Sequence, residues 1–170
     1  KAMSAVAFGD LSDSEAIADM DLFAEGTDQV LTWVEAYADN SERTSGFTLR
    51  SSGDNDRSSG LKQGYMFQVS NIGNYVRIIR VNADGFTVLG GGGGAVALPA
   101  QGAGNKRWYR ASAVGDELTF SYSDNGSSFV VLTGVVDVTY ASGTVQYSIG
   151  WGGGIGGSFV TEIELSNGDD

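Results

Sequence analysis

The chain has no cysteine and no histidine. Without thiols it can build neither a disulfide framework nor a thiolate zinc site, and thiol catalysis is closed to it. Together the two absences remove most of the side-chain chemistry on which an enzyme draws. Proline occurs once, and cations are few: 10 lysines and arginines stand against 21 acidic residues, for a net charge of −11. A field of that sign repels phosphate backbones and anionic lipid surfaces, which argues against nucleic acid and membrane surfaces as partners. No apolar run approaches the ~20 residues that a bilayer-spanning helix needs. The opening Lys1-Ala2-Met3 and the short apolar patch from Ala5 to Phe8, ended by Asp10, do not have the pattern of a secretory signal.

What is present is glycine, 26 of 170 residues. With no triplet period and one proline, this is not a collagen-like pattern but one of many tight turns and close backbone approaches. Leucine, valine, isoleucine and aromatic residues are spread along the whole length, so a folded chain is expected. The length suits one domain, burying roughly 70% of the surface its unfolded form exposes. The acidity has two readings, a solvated surface or carboxylates gathered around a hard cation such as calcium.

Residues 1–26 are expected to form an N-terminal segment, either an edge strand or a short helix over residues 13–20 capped by Ser12 or Asp13. In residues 29–39 a helical stripe of Val30, Val34 and Tyr37 competes with strict alternation, and the β-branched and aromatic content favours a strand. From Phe47 onward the period of two is clearer. Strands are expected at residues 47–50, 64–69, 75–81, 86–89, 106–114, 117–123, 142–150 and 159–165. Asp84-Gly85 and Gly115-Asp116 mark hairpin turns. The glycine run 90–94 is followed by alanine and proline rather than a helix, so it reads as a flexible loop and not a phosphate cradle. Ser123-Asp124-Asn125-Gly126-Ser127-Ser128-Phe129 resembles the Asp-box hairpin of sialidases and other β-proteins, whose Asp and Gly stabilise the turn and bring no catalysis. Ten or more regularly spaced strands with hairpin connections predict an all-β antiparallel sandwich.

The order of Ser45-Gly46-Phe47-Thr48-Leu49-Arg50, Gly64-Tyr65-Met66-Phe67-Gln68-Val69, the run from Trp108 to Leu118, the run from Val136 to Val145, and the final strand over residues 159–165 resembles the laminin-G-like, concanavalin A-like jelly-roll superfamily. The resemblance covers residues 46–166, within an expected jelly-roll domain of residues 27–170. It implies two packed antiparallel sheets, with a concave face or rim loops that bind glycans and, in many relatives, calcium at the rim. The acidic cluster of its hydrolase members is missing from residues 64–122. Glu162 and Glu164, two apart on the last strand, share a face as a carboxylate pair would, but alternating glutamates also mark a solvated sheet surface.

Aromatic rings stack on the apolar faces of sugars, so exposed tryptophan and tyrosine are the first ligand candidates. Trp151, beside the glycine-rich residues 152–157, leads; Tyr147 on the preceding strand assists. Trp33 and Trp108, among apolar neighbours, are expected in the core. Tyr75 and Arg77 share a face of their strand and suit polar recognition through a planar, multi-donor guanidinium. Asp54 and Asp56 flank Asn55 in a Ser/Gly loop and are the candidate calcium ligands, with no other cofactor required. These features point to a non-catalytic recognition or adhesion module for carbohydrate, on a cell or virion surface or otherwise outside the cell. The alternative is a structural surface protein, such as a virion decoration or fibre component, whose partners are neighbouring subunits.

Overall fold

The computed structural model of the chain describes residues 2–4, 16–20, 26–36, 44–52, 63–70, 74–90, 94–101, 105–149 and 159–166. Among these there are thirteen strands and no helix. One sheet has the order β1 (Ala2–Ser4), β13 (Phe159–Ser166), β3 (Gln29–Ala36), β9 (Lys106–Val114), β10 (Glu117–Ser123), β11 (Val130–Val136). The other runs β2 (Ala16–Met20), β12 (Thr144–Ile149), β4 (Thr44–Ser51), β5 (Gly64–Ser70), β6 (Tyr75–Asn82), β7 (Gly85–Val88), and β8 (Val96–Ala97) shares an edge of β6 with β7. Every pairing is antiparallel, and the sheets face each other as the alternating sequence predicts. Over Ala16–Met20 the helical reading is replaced by a strand, because pairing with β12 satisfies the backbone of this segment along one ladder.

The core lies between the sheets. Leu31, Trp33, Tyr109, Ala111, Ala113, Leu118 and Phe120 come from the first sheet, and Phe47, Leu49, Tyr65, Phe67, Val69, Val76 and Ile78 from the second. Trp33 is its hub, with ring centroids of Phe47, Tyr109 and Phe120 at 4.9, 5.5 and 5.7 Å. Its alternation partner Glu35 is nearly as deep, at 3% exposure. The Glu35 Oε1 accepts hydrogen bonds from Trp33 Nε1 and Ser45 Oγ, while Oε2 has no partner among the described residues.

Burial raises the pKa of the Glu35 carboxyl against the lowering effect of its two hydrogen bonds. A carboxyl whose folded pKa is raised contributes full stability below its unfolded value of 4.5, and loses it as pH rises through the folded value. Glu35→Gln keeps an acceptor for Trp33 and Ser45 and removes the titration. The melting temperature of the variant relative to the parent is therefore expected to climb from pH 4 to pH 8. A difference that stays flat across that range would show that Glu35 does not titrate differently in the folded state.

Arg50 closes one end of the sandwich. By alternation it belongs with Thr48 on the outer face, yet it adopts a left-handed φ of 49° where the β4–β12 ladder slips. Its guanidinium reaches the other sheet, donating to the carbonyls of Thr27, Ala113, Gly115 and Tyr140. Gly143 lies against this backbone with φ +157°, and a Cβ there would come within 2.4 Å of the Arg50 carbonyl carbon. Only glycine fits that approach.

In the Ser123–Phe129 hairpin the turn is held by Asn125, not by Asp124. Asn125 Oδ1 accepts from the Ser127 and Ser128 amides at 3.0 Å each, and Ser123 Oγ accepts from the Gly126 amide at 3.0 Å. Asp124 is released from the turn and pairs with Arg107 Nε at 2.7 Å.

Candidate functional site

Of the sequence candidates, Tyr75 and Arg77 lie together on the outer face of β6. In β6, Val76 and Ile78 enter the core, and Tyr75 and Arg77 alternate with them on the outer face, both half-buried. Arg80 lies on the core side but leaves at the strand end, where its Nη1 pairs with Asp137 Oδ2 at 2.6 Å and reaches Thr139 Oγ1 at 3.0 Å. The Val76–Ile78 face is therefore interior despite carrying an arginine. Burial pushes the pKa of Asp137 up, but hydrogen bonds from Tyr65 and Thr139 and the Arg80 charge bring it below its ordinary value. Arg80 is thus committed to structure, whereas Arg77 has no ion pair among the described residues.

Register builds the site from rows that cross the strands. Gly46, Gln68 and Arg77 are consecutive partners on β4, β5 and β6. On one side of this row lie Ser70 and Tyr75, opposite each other on β5 and β6. On the other lie Thr48, Met66, Ile79 and Val88, of which Met66, Ile79 and Val88 join Val81 in a small apolar cluster. A polar row thus runs between an aromatic ring and an aliphatic patch.

The guanidinium of Arg77 lies over the Tyr75 ring, its Cζ 4.4 Å from the centroid, and its Nη2 also donates to the Tyr75 hydroxyl. That stacking limits the rotamers of a long side chain before any ligand arrives. Beside it, Gln68 is 2% exposed and Thr48 fully buried. Gln68 Oε1, Thr48 Oγ1 and Arg77 Nε have no hydrogen-bond partner among the described residues. Such atoms each cost about 1–3 kcal/mol when buried unsatisfied. Gln68 and Thr48 lie too deep for a ligand to touch, so what this face offers a hydroxyl-bearing group is the half-exposed Arg77 and Tyr75. The row is half-exposed at Tyr75 and Arg77 and deepens toward β5 and β4.

The other sequence candidates are placed as follows. Tyr147 is the cross-strand partner of Phe47, which pairs in turn with Phe67 and Ile78. Its register row is therefore one position out of step with the Gln68–Arg77 row. Trp151, Asp54 and Asp56 lie outside the described residues. Among the described residues no three acidic side chains come together as a metal ion would need. Glu162 and Glu164 pair with Val34 and Thr32, and Ser4 and Ala2 lie opposite them on β1. Trp33 is fully buried as expected, but Trp108 is not a core residue. In β9 the residues that point inward are Arg107, Tyr109, Ala111 and Ala113, which leaves Trp108 half-buried on the outer side with Lys106 and Arg110. Gln68 and Thr48 were missed in the sequence because β5 is buried along all seven residues and β4 is buried over residues 45–51, so that alternation carries no contrast in either strand.

No family model matches the chain, and no curated protein matches it. Solved structures do. A carbohydrate-binding module, CBM66, from Bacillus subtilis aligns with a TM-score of 0.61 at 14% identity, covering 92% of this chain and 81% of that one. The galectin LEC-6 of Caenorhabditis elegans aligns at 0.59 and 14% identity, covering 91% of each. A toad ovary galectin in complex with thio-digalactose aligns at 0.56 and 9% identity, covering 91% of this chain and all of that one, 100%. At such identities the likeness is one of fold: the chain shares with these proteins an antiparallel β-sandwich of two sheets.

Proposed function

We propose that the chain is a non-catalytic carbohydrate-binding module whose ligand lies on the outer face of β5 and β6. The observation that carries this reading is the polar row of Gln68 and Arg77, half-exposed at Arg77, whose guanidinium is stacked on Tyr75 and has no ion pair among the described residues. A sugar ring offers hydroxyls to such a row and an apolar face to the neighbouring ring and aliphatic patch. The fold supports the reading, since its structural relatives include a carbohydrate-binding module and a galectin complexed with thio-digalactose. Trp151 is proposed as an additional stacking ring. No cofactor is required; calcium, if bound, would sit on Asp54 and Asp56. We place the module outside the cell, on a cell or virion surface, where recognition would serve adhesion.

The test is a glycan array probed with the parent chain and with Tyr75→Ala, Arg77→Ala and Trp151→Ala. Each variant is expected to melt close to the parent and to lose about 1–3 kcal/mol of affinity for the bound glycans. Binding unchanged in Tyr75→Ala and Arg77→Ala would reject this face as the site.

A second reading has its own observation. Val130, Val131, Val136 and Val138 are 54%, 63%, 66% and 71% exposed, along and just beyond β11, the edge strand of the first sheet. An uncharged strand edge of this kind suits contact with neighbouring protein subunits, as in a structural surface protein.

A further inference from the structure

A second opening lies where the segment after β8 leads into β9. Gln101, Asn105, Lys106, Arg107, Trp108 and Asp124 line a groove of about 430 Å³. That volume falls within the range of small-molecule sites, roughly 300–1,000 Å³. The groove is built from β9 and the β10–β11 hairpin of the first sheet, whereas the site proposed above lies on the outer face of the second.

Its walls are held in place. Gln101 Nε2 donates to the Asn105 carbonyl at 2.8 Å, which ties the two ends of the connecting segment together. Arg107 Nη1 donates to the Pro99 carbonyl at 2.8 Å and anchors that segment to β9. Arg107 itself is 2% exposed, with its Cζ 5.0 Å from the Tyr122 ring centroid. A cation so deep needs a fixed counter-charge, and Asp124 Oδ1 supplies it at 2.7 Å.

Asp124 is the informative member. The hairpin signature places a carboxylate in the turn, but Asn125 does the work of the turn here, so Asp124 is available for another purpose. Its side chain is 59% exposed, with one oxygen on Arg107 and no partner for the other among the described residues. Arg107 thereby orients an acceptor that faces solvent at the mouth of the groove.

Trp108 supplies an aromatic wall. Gly126, at φ +76°, presses on the indole so closely that a Cβ would lie 2.9 Å from Cε2 and 3.0 Å from Nε1. The absence of a side chain at this position lets the hairpin seat the ring. The groove thus combines an indole, an oriented carboxylate and two amide side chains, with its deep cation already neutralised.

We infer that this groove is a second saccharide site, taking one uncharged sugar ring with its apolar face on Trp108 and adjacent hydroxyls on Asp124 and Gln101. An anionic ligand is disfavoured because Asp124 neutralises Arg107, the remaining cation, Lys106, is exposed and screened by solvent, and the chain carries a net charge of −11. An apolar ligand would leave the carboxylate and the amides without partners. A polyhydroxylated neutral ring matches both halves of the lining. The inference rests on the carbohydrate-binding reading but names a different place, and it makes one chain bivalent. A bivalent chain bridges two glycans, gaining avidity without a second subunit.

The test is a glycan array probed with the parent, Arg77→Ala, Trp108→Ala and Gln101→Ala, each first shown to be folded by its melting curve. Gln101→Ala removes a half-buried amide that makes no contact with the Arg107–Asp124 pair among its hydrogen bonds. Trp108→Ala and Gln101→Ala are expected to lose about tenfold or more in binding to a set of glycans that Arg77→Ala retains. If every bound glycan depends on Arg77 and none on Trp108 or Gln101, the second site is rejected while the first stands. If all depend on Trp108 and Gln101 and none on Arg77, the first site is rejected and the groove stands as the sole one. A parent chain that binds no glycan on the array overturns both.

Discussion

Trp33→Ala is expected to cost about 3–5 kcal/mol of folding stability, a large share of the roughly 5–15 kcal/mol that holds a domain together. The ring is fully buried and touches aromatic residues of both sheets, with Phe47 on one side and Tyr109 and Phe120 on the other. Truncation leaves a cavity that these rings cannot close, since they are fixed in strands that pair on either side. It also strips Glu35 of a hydrogen-bond donor at full burial. Trp108→Ala, by contrast, removes a half-buried ring and should cost about 1–2 kcal/mol. Urea unfolding followed by far-ultraviolet circular dichroism measures both. Equal losses, or a greater loss at Trp108, would invert the assignment of core and surface rings.

Arg50→Met is expected to cost about 3–5 kcal/mol, although the nearest charge is a weak partner. Asp28 is 45% exposed and 3.8 Å away, so solvent screening leaves their attraction small. The effect comes instead from the four carbonyls of Thr27, Ala113, Gly115 and Tyr140, which converge on one guanidinium and lose their donor together. Methionine retains the apolar stem but supplies no hydrogen. Asp28→Asn separates the two accounts, because an asparagine still accepts from the Gly115 amide and carries no charge. Its loss should stay below about 1 kcal/mol. A loss matching that of Arg50→Met would mean that the ion pair, not the carbonyl set, closes this end of the sandwich.

Alternation made the strands from Phe47 onward legible, because residues two apart share a face whatever the partner strand. It also put Tyr75 and Arg77 together correctly. It could not supply Gln68, which stands beside Arg77 only through the β5–β6 register; a slip of one residue would bring Phe67 there instead. In β9 the period of two is clear but its phase is not. Both possible faces carry an arginine and an aromatic residue: Arg107 and Tyr109 on one, Trp108 and Arg110 on the other. The face with Ala111 and Ala113 goes inward, where the small side chains leave room beside Leu31 and Trp33. Arg107 accompanies it into the interior because Asp124 and the Pro99 carbonyl are there to receive it. The sequence left helix and edge strand both open for the N-terminal segment, and over Ala16–Met20, a run with little intrinsic preference, pairing with β12 decides for the strand.

Composition and residue order were enough to set the class of the fold and the chemistry shut off from it. Absent thiols and imidazoles, a strong negative charge and a sustained period of two are properties of composition and order, and no packing alters them. Which polar groups are brought together is settled by how the strands pair and pack. The Gln68–Arg77 row, the Arg50 carbonyl set and the Trp108–Asp124 groove all join residues from separate strands or turns. Their meeting depends on register, on a left-handed residue at Arg50 and on glycine contacts at Gly126 and Gly143, which act through space and leave no periodic trace along the chain.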